Sequence, residues 1–381
     1  MMRAKFLAFF TAAAASASAL LGSGCRDSSE TEVTTSTASA GDGGSGGRRG
    51  FGGEDAAGGG TSASSGAAGT TTSVSSAISA SASSGVTSSS SGGGGGAGGG
   101  FASCGIGMPP GDGAGGGAPG GRVRVVAANL TSGNNQGYDG SHGIRILQGL
   151  DADIILLQEM NFGSNSTSAI DGLVDDVCSG ECNYIRGPQE QIPNGVLSRL
   201  PILACGSWVD PEVSNRNFVW ARIDVPGTTD LWAISVHFLT ESASVRNREA
   251  NALLGHIAGA IPASDMIVLG GDLNTNSRTE SALSTLSALF ETAGPHPADH
   301  DGNGGTNAPR DKPYDWVLAD GELFGRQITV EIGASVFPAG AVIDTRVYAP
   351  LSEISPAMLN DSGAAGMQHM AVIKDFQIAE P

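Results

Sequence analysis

The chain has 381 residues, 59 of them glycine, and a formal charge of −18. More than half of the glycines precede residue 122, so length overstates the packable chain; residues 122–381 suffice for one domain with a large core. Five basic and seven acidic residues precede Arg122, which leaves −16 on that domain and excludes tight, metal-free binding to polyanions, though not phosphate chemistry assisted by a cation.

Residues 1–25, MMRAKFLAFFTAAAASASALLGSGC, place Arg3 and Lys5 before an uncharged Ala/Leu/Phe stretch and a small-residue end. That is the layout of a bacterial export signal. Its Leu-Leu-Gly-Ser-Gly-Cys ending resembles a lipoprotein signal, which implies lipidation of Cys25 and a cell-envelope anchor; cleavage and free secretion is the alternative. Residues 26–121 are Gly/Ser/Ala/Thr-rich, with too little large apolar surface to offset chain entropy, and are expected to be a disordered tether. A flexible coil of that length reaches roughly 50–60 Å. In an exported chain Cys104, Cys178, Cys182 and Cys205 fit disulfides, with a small Cys178–Cys182 loop leaving Cys104 for Cys205. A zinc site is the other option, but it lacks a second closely spaced Cys/His pair.

Within the domain, residues 123–129 (VRVVAAN) form an apolar strand and 141–150 a helix. Residues 153–159 (DIILLQE) read as a strand buried on both faces, followed by a helix at 167–178. Strands at 195–198, 202–209, 217–225 and 230–237, punctuated by Pro201, Pro211 and Pro226-Gly227, have hairpin spacing. A helix at 242–260, a strand at 266–270 and a helix at 280–289 come next. Strands at 314–319, 327–336 and 371–376 close the chain. Single helices between strands, with a run of hairpins, predict a mixed α/β sandwich of two packed sheets.

Several strands end on a polar group: Asn129 in AANL, Glu159 in LLQE, His237 in SVHF, Asp272 and Asn274 in GGDLN. Strand ends at one edge of a sandwich converge, so these side chains can share a crevice. Glu159, Asp272 and Asn274 offer the oxygens a hard divalent cation prefers. Taken singly, Glu159 and Asp272 are as readily caps or turn residues, and His237 a satisfied buried histidine. Only their conjunction points to chemistry.

The segments AANL, DIILLQE, NGVLSRLPI, SVHF, GGDLN, PYDWVLAD and QHMAV occur in the order found in the endonuclease/exonuclease/phosphatase superfamily, and the domain resembles that family throughout. NRNFVWARI and PYDWVLADG bring it nearest the deoxyribonuclease I branch. The resemblance implies a four-layered α/β sandwich with two mixed β-sheets flanked by helices, and a Mg²⁺ site (or Mn²⁺, with Ca²⁺ as an auxiliary ion). Carried over by motif, Glu159 is the principal metal ligand and Asn129 helps hold metal and phosphate. Asp272 and Asn274 position the attacking water, His237 donates to the phosphate or leaving group, and Asp315 orients His369. Arg216 is a phosphate contact. Gln368 stands where the family usually has an aspartate before the histidine, and as a neutral metal ligand it implies weaker metal binding.

The expected activity is phosphodiester hydrolysis by direct attack of water, with nucleic acid the leading substrate. Sphingomyelinase-like cleavage, a small-phosphoester phosphatase, and a non-catalytic surface-binding lipoprotein are the alternatives; a monomer is the default. Residues 299–304, DHDGNG, match half of an EF-hand loop, but Arg310 occupies its final ligand position. Arg246 and Arg248 are expected to pair with carboxylates such as Glu249.

Overall fold

The computed structural model describes residues 121–188 and 190–378; the signal-like segment, the tether, Cys25 and Cys104 lie outside the described residues. The strands among the described residues, in chain order, are β1 (Arg122–Ala128), β2 (Ile154–Leu157), β3 (Asn183–Arg186), β4 (Gly195–Ser198), β5 (Ile202–Trp208), β6 (Phe218–Ile223), β7 (Leu231–His237), β8 (Met266–Asp272), β9 (Asp315–Ala319), β10 (Gln327–Ile328), β11 (Val330–Ile332), β12 (Ser335–Phe337), β13 (Ala341–Ile343) and β14 (Ala371–Gln377). The α-helices are α1 (His142–Leu150), α2 (Thr167–Cys178), α3 (Ala243–Ala260), α4 (Ser281–Leu286) and α5 (Gly321–Phe324). None of the described helices is long and apolar enough to cross a membrane.

One sheet runs β10-β14-β1-β2-β4-β3, with β13 also on β14, and the other runs β5-β6-β7-β8-β9. Both mix parallel and antiparallel pairs: β1–β2 and β7–β8 are parallel, their other neighbours antiparallel. The period of two sorts each strand between layers. Val123, Val125 and Ala127 of β1 meet Val268 of β8 and Val317 of β9 between the sheets. Val126 and Ala128 turn outward onto Ile146 of α1 and Leu173 of α2. Ile234, Ile267 and Leu318 turn the other way, onto Leu253 of α3 and Leu283 of α4. Three apolar cores between four layers give the sandwich that the alternation of elements predicts.

Ser166 and Ser242 cap α2 and α3 by accepting from Ala169 and Val245 N–H, which sets their starts where the sequence places them. Other boundaries differ. The helix expected over 280–289 keeps regular geometry only to Leu286, after which it tightens into turns. Residues 327–336 form three short strands instead of one, because Gly333, at φ +59°, reverses the chain between β11 and β12. β3 and β13 escape a periodicity reading because four and three residues hold too few alternations.

Cys178 and Cys182 are disulfide-bonded, closing the end of α2. Cys205 is disulfide-bonded as well; its expected partner, Cys104, lies outside the described residues. Arg310, at the final position of the EF-hand-like loop, makes salt bridges to Asp299 and Asp344 at 2.7 Å each, which occupies the Asp299 carboxylate. Arg246 pairs with Glu280 and Arg248 with Glu212, not with Glu249, whose carboxylate instead accepts the Leu239 N–H.

Candidate active site

Between the sheets the apolar face turns polar at one end. On β1 the inward positions 123, 125 and 127 continue to Asn129; on β2 the positions 154 and 156 continue to Gln158. Register does the same across the other sheet. His237 of β7 is paired with Asp272 of β8, and Asp272 with Asp315 of β9, so three residues 35 and 43 positions apart stand in one row. Glycine makes this possible. Gly271 sits at φ +141°, and a Cβ there would lie 2.0 Å from the Val236 carbonyl oxygen, so only glycine lets β8 bend to deliver Asp272.

Strand β14 enters from the opposite sheet and brings His369. Its Nδ1 is 3.0 Å from Asp315 Oδ2, and its Nε2 is 3.5 Å from Asp272 Oδ2. His237 Nε2 is 3.3 Å from the same Asp272 oxygen, so one carboxylate oxygen lies between two imidazoles. Asp272 Oδ1 accepts the Asn274 N–H at 2.9 Å, and Asn274 donates its side-chain amide to the Phe238 carbonyl at 3.0 Å. Asn274 holds φ +49° to do so, and Glu159 holds φ +51°; left-handed backbone at non-glycine residues is strain of the kind that collects at working sites.

Glu159 is surrounded by neutral donors. Thr131 Oγ1 donates to Oε2 at 3.0 Å, Gln136 Nε2 to Oε1 at 3.3 Å and Asn129 Nδ2 to Oε1 at 3.4 Å. Asn129 Nδ2 also reaches Asp272 Oδ2 at 3.2 Å, linking the two carboxylates. Thr131 and Gln136 lie in a loop with no periodicity, and no motif singles them out. Behind them, the Tyr138 hydroxyl donates to the Ala128 and Gln158 carbonyls, while Gln158 Nε2 and Ser235 Oγ, 2.9 Å apart, join the two sheets beneath the crevice. Burial pushes the Tyr138 hydroxyl far above the phenolic range, so it stays a donor.

Charge separates the two histidines. Burial works against charge on His369, but Asp315, Asp272 and Glu159 outweigh it and push the imidazole up to about 10. His237 is held well below the usual range by burial, reinforced by Arg216 and His369. One ring is therefore an imidazolium at neutral pH and the other neutral. Burial also raises Glu159, with Asp272 adding to it, and pushes Asp272 up to about 6.

A cation fits these residues. Asn129 Oδ1 is buried without a hydrogen-bond partner, and two carboxylates raised by burial lack sufficient positive charge. All three supply hard oxygens and no thiolate competes, the donor set of Mg²⁺-class ions. Among the described residues Asp272, Asp315 and His369 form the tightest acid/histidine group, with ligand atoms within 4.8 Å of one another. Because His369 Nδ1 is already bonded to Asp315, that pair is better described as an oriented imidazole.

Two expected contacts fall elsewhere. Arg216 is buried behind the crevice, where Nε donates to the His237 carbonyl at 2.5 Å and Nη2 to the Phe238 carbonyl at 2.9 Å. Its fork holds the backbone that carries His237 and cannot also grip phosphate. Gln368 is exposed between buried Met367 and His369, as extended backbone requires, and lines a surface pocket with Asn307, Lys312 and Tyr314. It points away from the carboxylates it was expected to join.

A model of the endonuclease/exonuclease/phosphatase family matches residues 144–334. The chain belongs to that family. Its members are hydrolases acting on phosphoesters and typically use a divalent metal. The family match stops short of Asn129 and His369, which the sheet topology brings to the same crevice. Among solved structures, the chain is similar to an endonuclease/exonuclease/phosphatase from Bacteroides vulgatus, with 15% identity and a TM-score of 0.47, over 67% of this chain and 98% of that one. A humanized D. rerio TDP2 gives 12%, 0.45, and 67% and 99% coverage; a Bacteroides thetaiotaomicron mannosyl-6-phosphatase gives 12%, 0.43, and 66% and 98%. No curated protein matches the chain in sequence.

Proposed function

We propose that this chain is an exported, divalent-metal-dependent phosphodiesterase that hydrolyses its substrate by direct attack of water on phosphorus, with nucleic acid as the leading substrate. The observation that carries the reading is the shared Asp272 carboxylate, flanked by a neutral imidazole and an imidazolium and tied through Asn129 to Glu159. Glu159, Asn129 Oδ1 and Asp272 would hold the ion, Mg²⁺ or Mn²⁺. When bound, it neutralises charge on the phosphoryl oxygens and makes water a better nucleophile.

The protein groups supply the rest. Asp272, ionised at neutral pH, accepts a proton from the water, and Asn274 keeps that carboxylate in place through its backbone N–H. His369, fixed in one orientation by Asp315, offers Nε2–H to a phosphoryl oxygen on which charge develops. His237, positioned by the carbonyl grip of Arg216, takes the water's proton from Asp272 at Nε2 and gives up its other ring N–H to the leaving oxygen, so the proton removed from the water ends on the leaving group and the ring stays neutral. With −16 on the domain, contact with a polyanion is limited to the few phosphates nearest the crevice.

Full-length protein, assayed on duplex DNA, RNA, sphingomyelin and inositol phosphates with Mg²⁺ or Mn²⁺, tests this directly. Hydrolysis of a nucleic acid that stops with EDTA and returns with metal supports it. Activity indifferent to EDTA removes the metal mechanism, and preference for sphingomyelin or a monoester removes the nucleic-acid assignment. Globomycin-sensitive processing and membrane fractionation test the lipid anchor at Cys25.

A further inference from the structure

His237 ends β7, and the backbone just beyond it is held by side chains from outside that strand. Arg216 donates to the His237 and Phe238 carbonyls, and Asn274 adds a second donor to Phe238. Both carboxylate oxygens of Glu249 accept the Leu239 N–H, at 3.1 and 3.0 Å, while Arg246 Nη1 donates to the Leu239 and Thr240 carbonyls at 2.9 and 2.8 Å. Glu249 and Arg246 stand on α3, and both are fully buried. Arg246 has its counter-charge in Glu280, but Glu249 has no salt bridge within 4.0 Å among the described residues. A buried carboxylate without a partner is costly, so its state needs a cause.

The cause lies two residues past β5. Asp210 is only 2% exposed, and its carboxyl group is in hydrogen-bond contact with that of Glu249. Its Oδ1 accepts the Glu212 N–H at 2.9 Å, whereas its Oδ2 is buried with no donor at all. Two ionised carboxylates repel and cannot bond, because both only accept. One proton between them supplies the missing donor and removes the repulsion. Burial, with Asp210 beside it, pushes Glu249 up to about 8, and burial raises Asp210 as well. Arg216 is the one cation that pulls on both groups, and Glu190, Asp272 and Glu159 draw on its charge from other sides. Glu212 adds repulsion on Asp210 but is paired with Arg248, and His256 of α3 is bonded to the Val209 carbonyl. A single guanidinium thus faces two carboxyl groups, and a proton makes up the difference.

We propose that Glu249 is a positioning residue for His237: as a carboxylic acid it donates its proton to Asp210 while its other oxygen holds the Leu239 N–H, which fixes the exit of β7 and the imidazole on it. The inference rests on the role given to His237 in the hydrolysis proposed above. When the proton leaves, two carboxylates in contact repel, the Leu239 N–H moves with Glu249, and the ring that serves the leaving oxygen is displaced. Turnover therefore falls with the loss of one proton at about pH 8, from residues that touch neither metal nor substrate.

The test compares full-length wild type, Glu249→Ala and Glu249→Gln on two substrates with Mg²⁺, duplex DNA and bis(4-nitrophenyl) phosphate, whose leaving group needs no proton. Glu249→Ala lowers kcat on DNA by about 10–100-fold and on the nitrophenyl ester by no more than a few-fold, because only the first reaction uses His237 as a donor. Glu249→Gln keeps a donor for Asp210 and an acceptor for Leu239 without a titratable proton; it recovers the kcat lost in Glu249→Ala and abolishes the fall at about pH 8. Equal losses on both substrates would make Glu249 merely structural and overturn the proposal. Two readouts in EDTA stand without any turnover, so a failure of the hydrolytic reading is told apart from a failure of this one. A carboxyl raised from its ordinary 4.5 stabilises the fold fully below pH 4.5, and the contribution is lost as pH rises through about 8, so the wild-type midpoint falls against that of Glu249→Gln over this range. The His237 ring resonances, although that imidazole stays neutral, shift at about pH 8 in the wild type and not in Glu249→Gln. Ring resonances that ignore this pH overturn the coupling to His237, and parallel stability curves overturn the shared proton. Asp210→Asn, at the other end of the bond, removes the same midpoint and serves if the helix variants fail to fold.

Discussion

The two walls of the crevice solve the problem of burying charge in opposite ways. On the five-stranded sheet, charges meet charges: Asp272 and Asp315, which register places side by side, face the His369 imidazolium that arrives from the other sheet. On the seven-stranded sheet a single carboxylate, Glu159, is held by an alcohol and two amides, none of which carries charge. The first wall meets one of its two negative charges with an imidazolium and orients that ring. Neutral donors lower the cost of the second wall's carboxylate without cancelling its charge, so that wall keeps its attraction for a cation. On the reading proposed above, Glu159 serves the metal and His369 the chemistry, with Asp272 shared between them, and substitutions at the first two should separate the functions.

The largest effect is expected from the ion-paired cluster. His369→Ala lowers kcat by roughly 10²–10⁴-fold with the metal requirement unchanged, measured by metal titration of initial rates; a shifted metal midpoint with normal saturating kcat would reverse the assignment. Glu159→Gln does the converse, raising the metal concentration for half-maximal activity by about 10–100-fold, and isothermal calorimetry of metal binding checks it. Asp315→Asn comes next. His369 titrates at about 10, above the ordinary 6.5, so its pairing stabilises the fold fully below pH 6.5 and the contribution is lost as pH rises through about 10. In the metal-free variant its NMR titration should fall toward the ordinary value, and unfolding should lose that alkaline pH dependence.

Smaller effects sharpen the same division. Gln136→Ala removes one of three neutral donors and should weaken metal binding by a few-fold, about 1 kcal/mol, with kcat at saturating metal preserved. Gln368→Asp should change neither quantity, because the side chain faces solvent on the other side of its strand; tighter metal binding in that variant would show that residue 368 reaches the ion.

The sequence by itself determined the layers and most of the polar residues at the strand ends. Inward runs such as Val123, Val125 and Ala127 fix which face is buried, and the residue two positions on, Asn129, inherits that face because the pleat has a period of two. His237 and Asp272 were legible for the same reason, each at the end of an apolar run, whereas Asp315, which opens its strand, was named through the family resemblance of PYDW. Tertiary structure alone decided how these residues are used. Thr131 and Gln136 sit in an aperiodic loop whose path depends on the Tyr138 hydroxyl, and Arg216 faces inward onto two carbonyls that only the fold brings within reach. Gln368 shows the limit most plainly. Local pattern gives the face a side chain takes, but whether that face meets a carboxylate or solvent depends on strands distant in sequence.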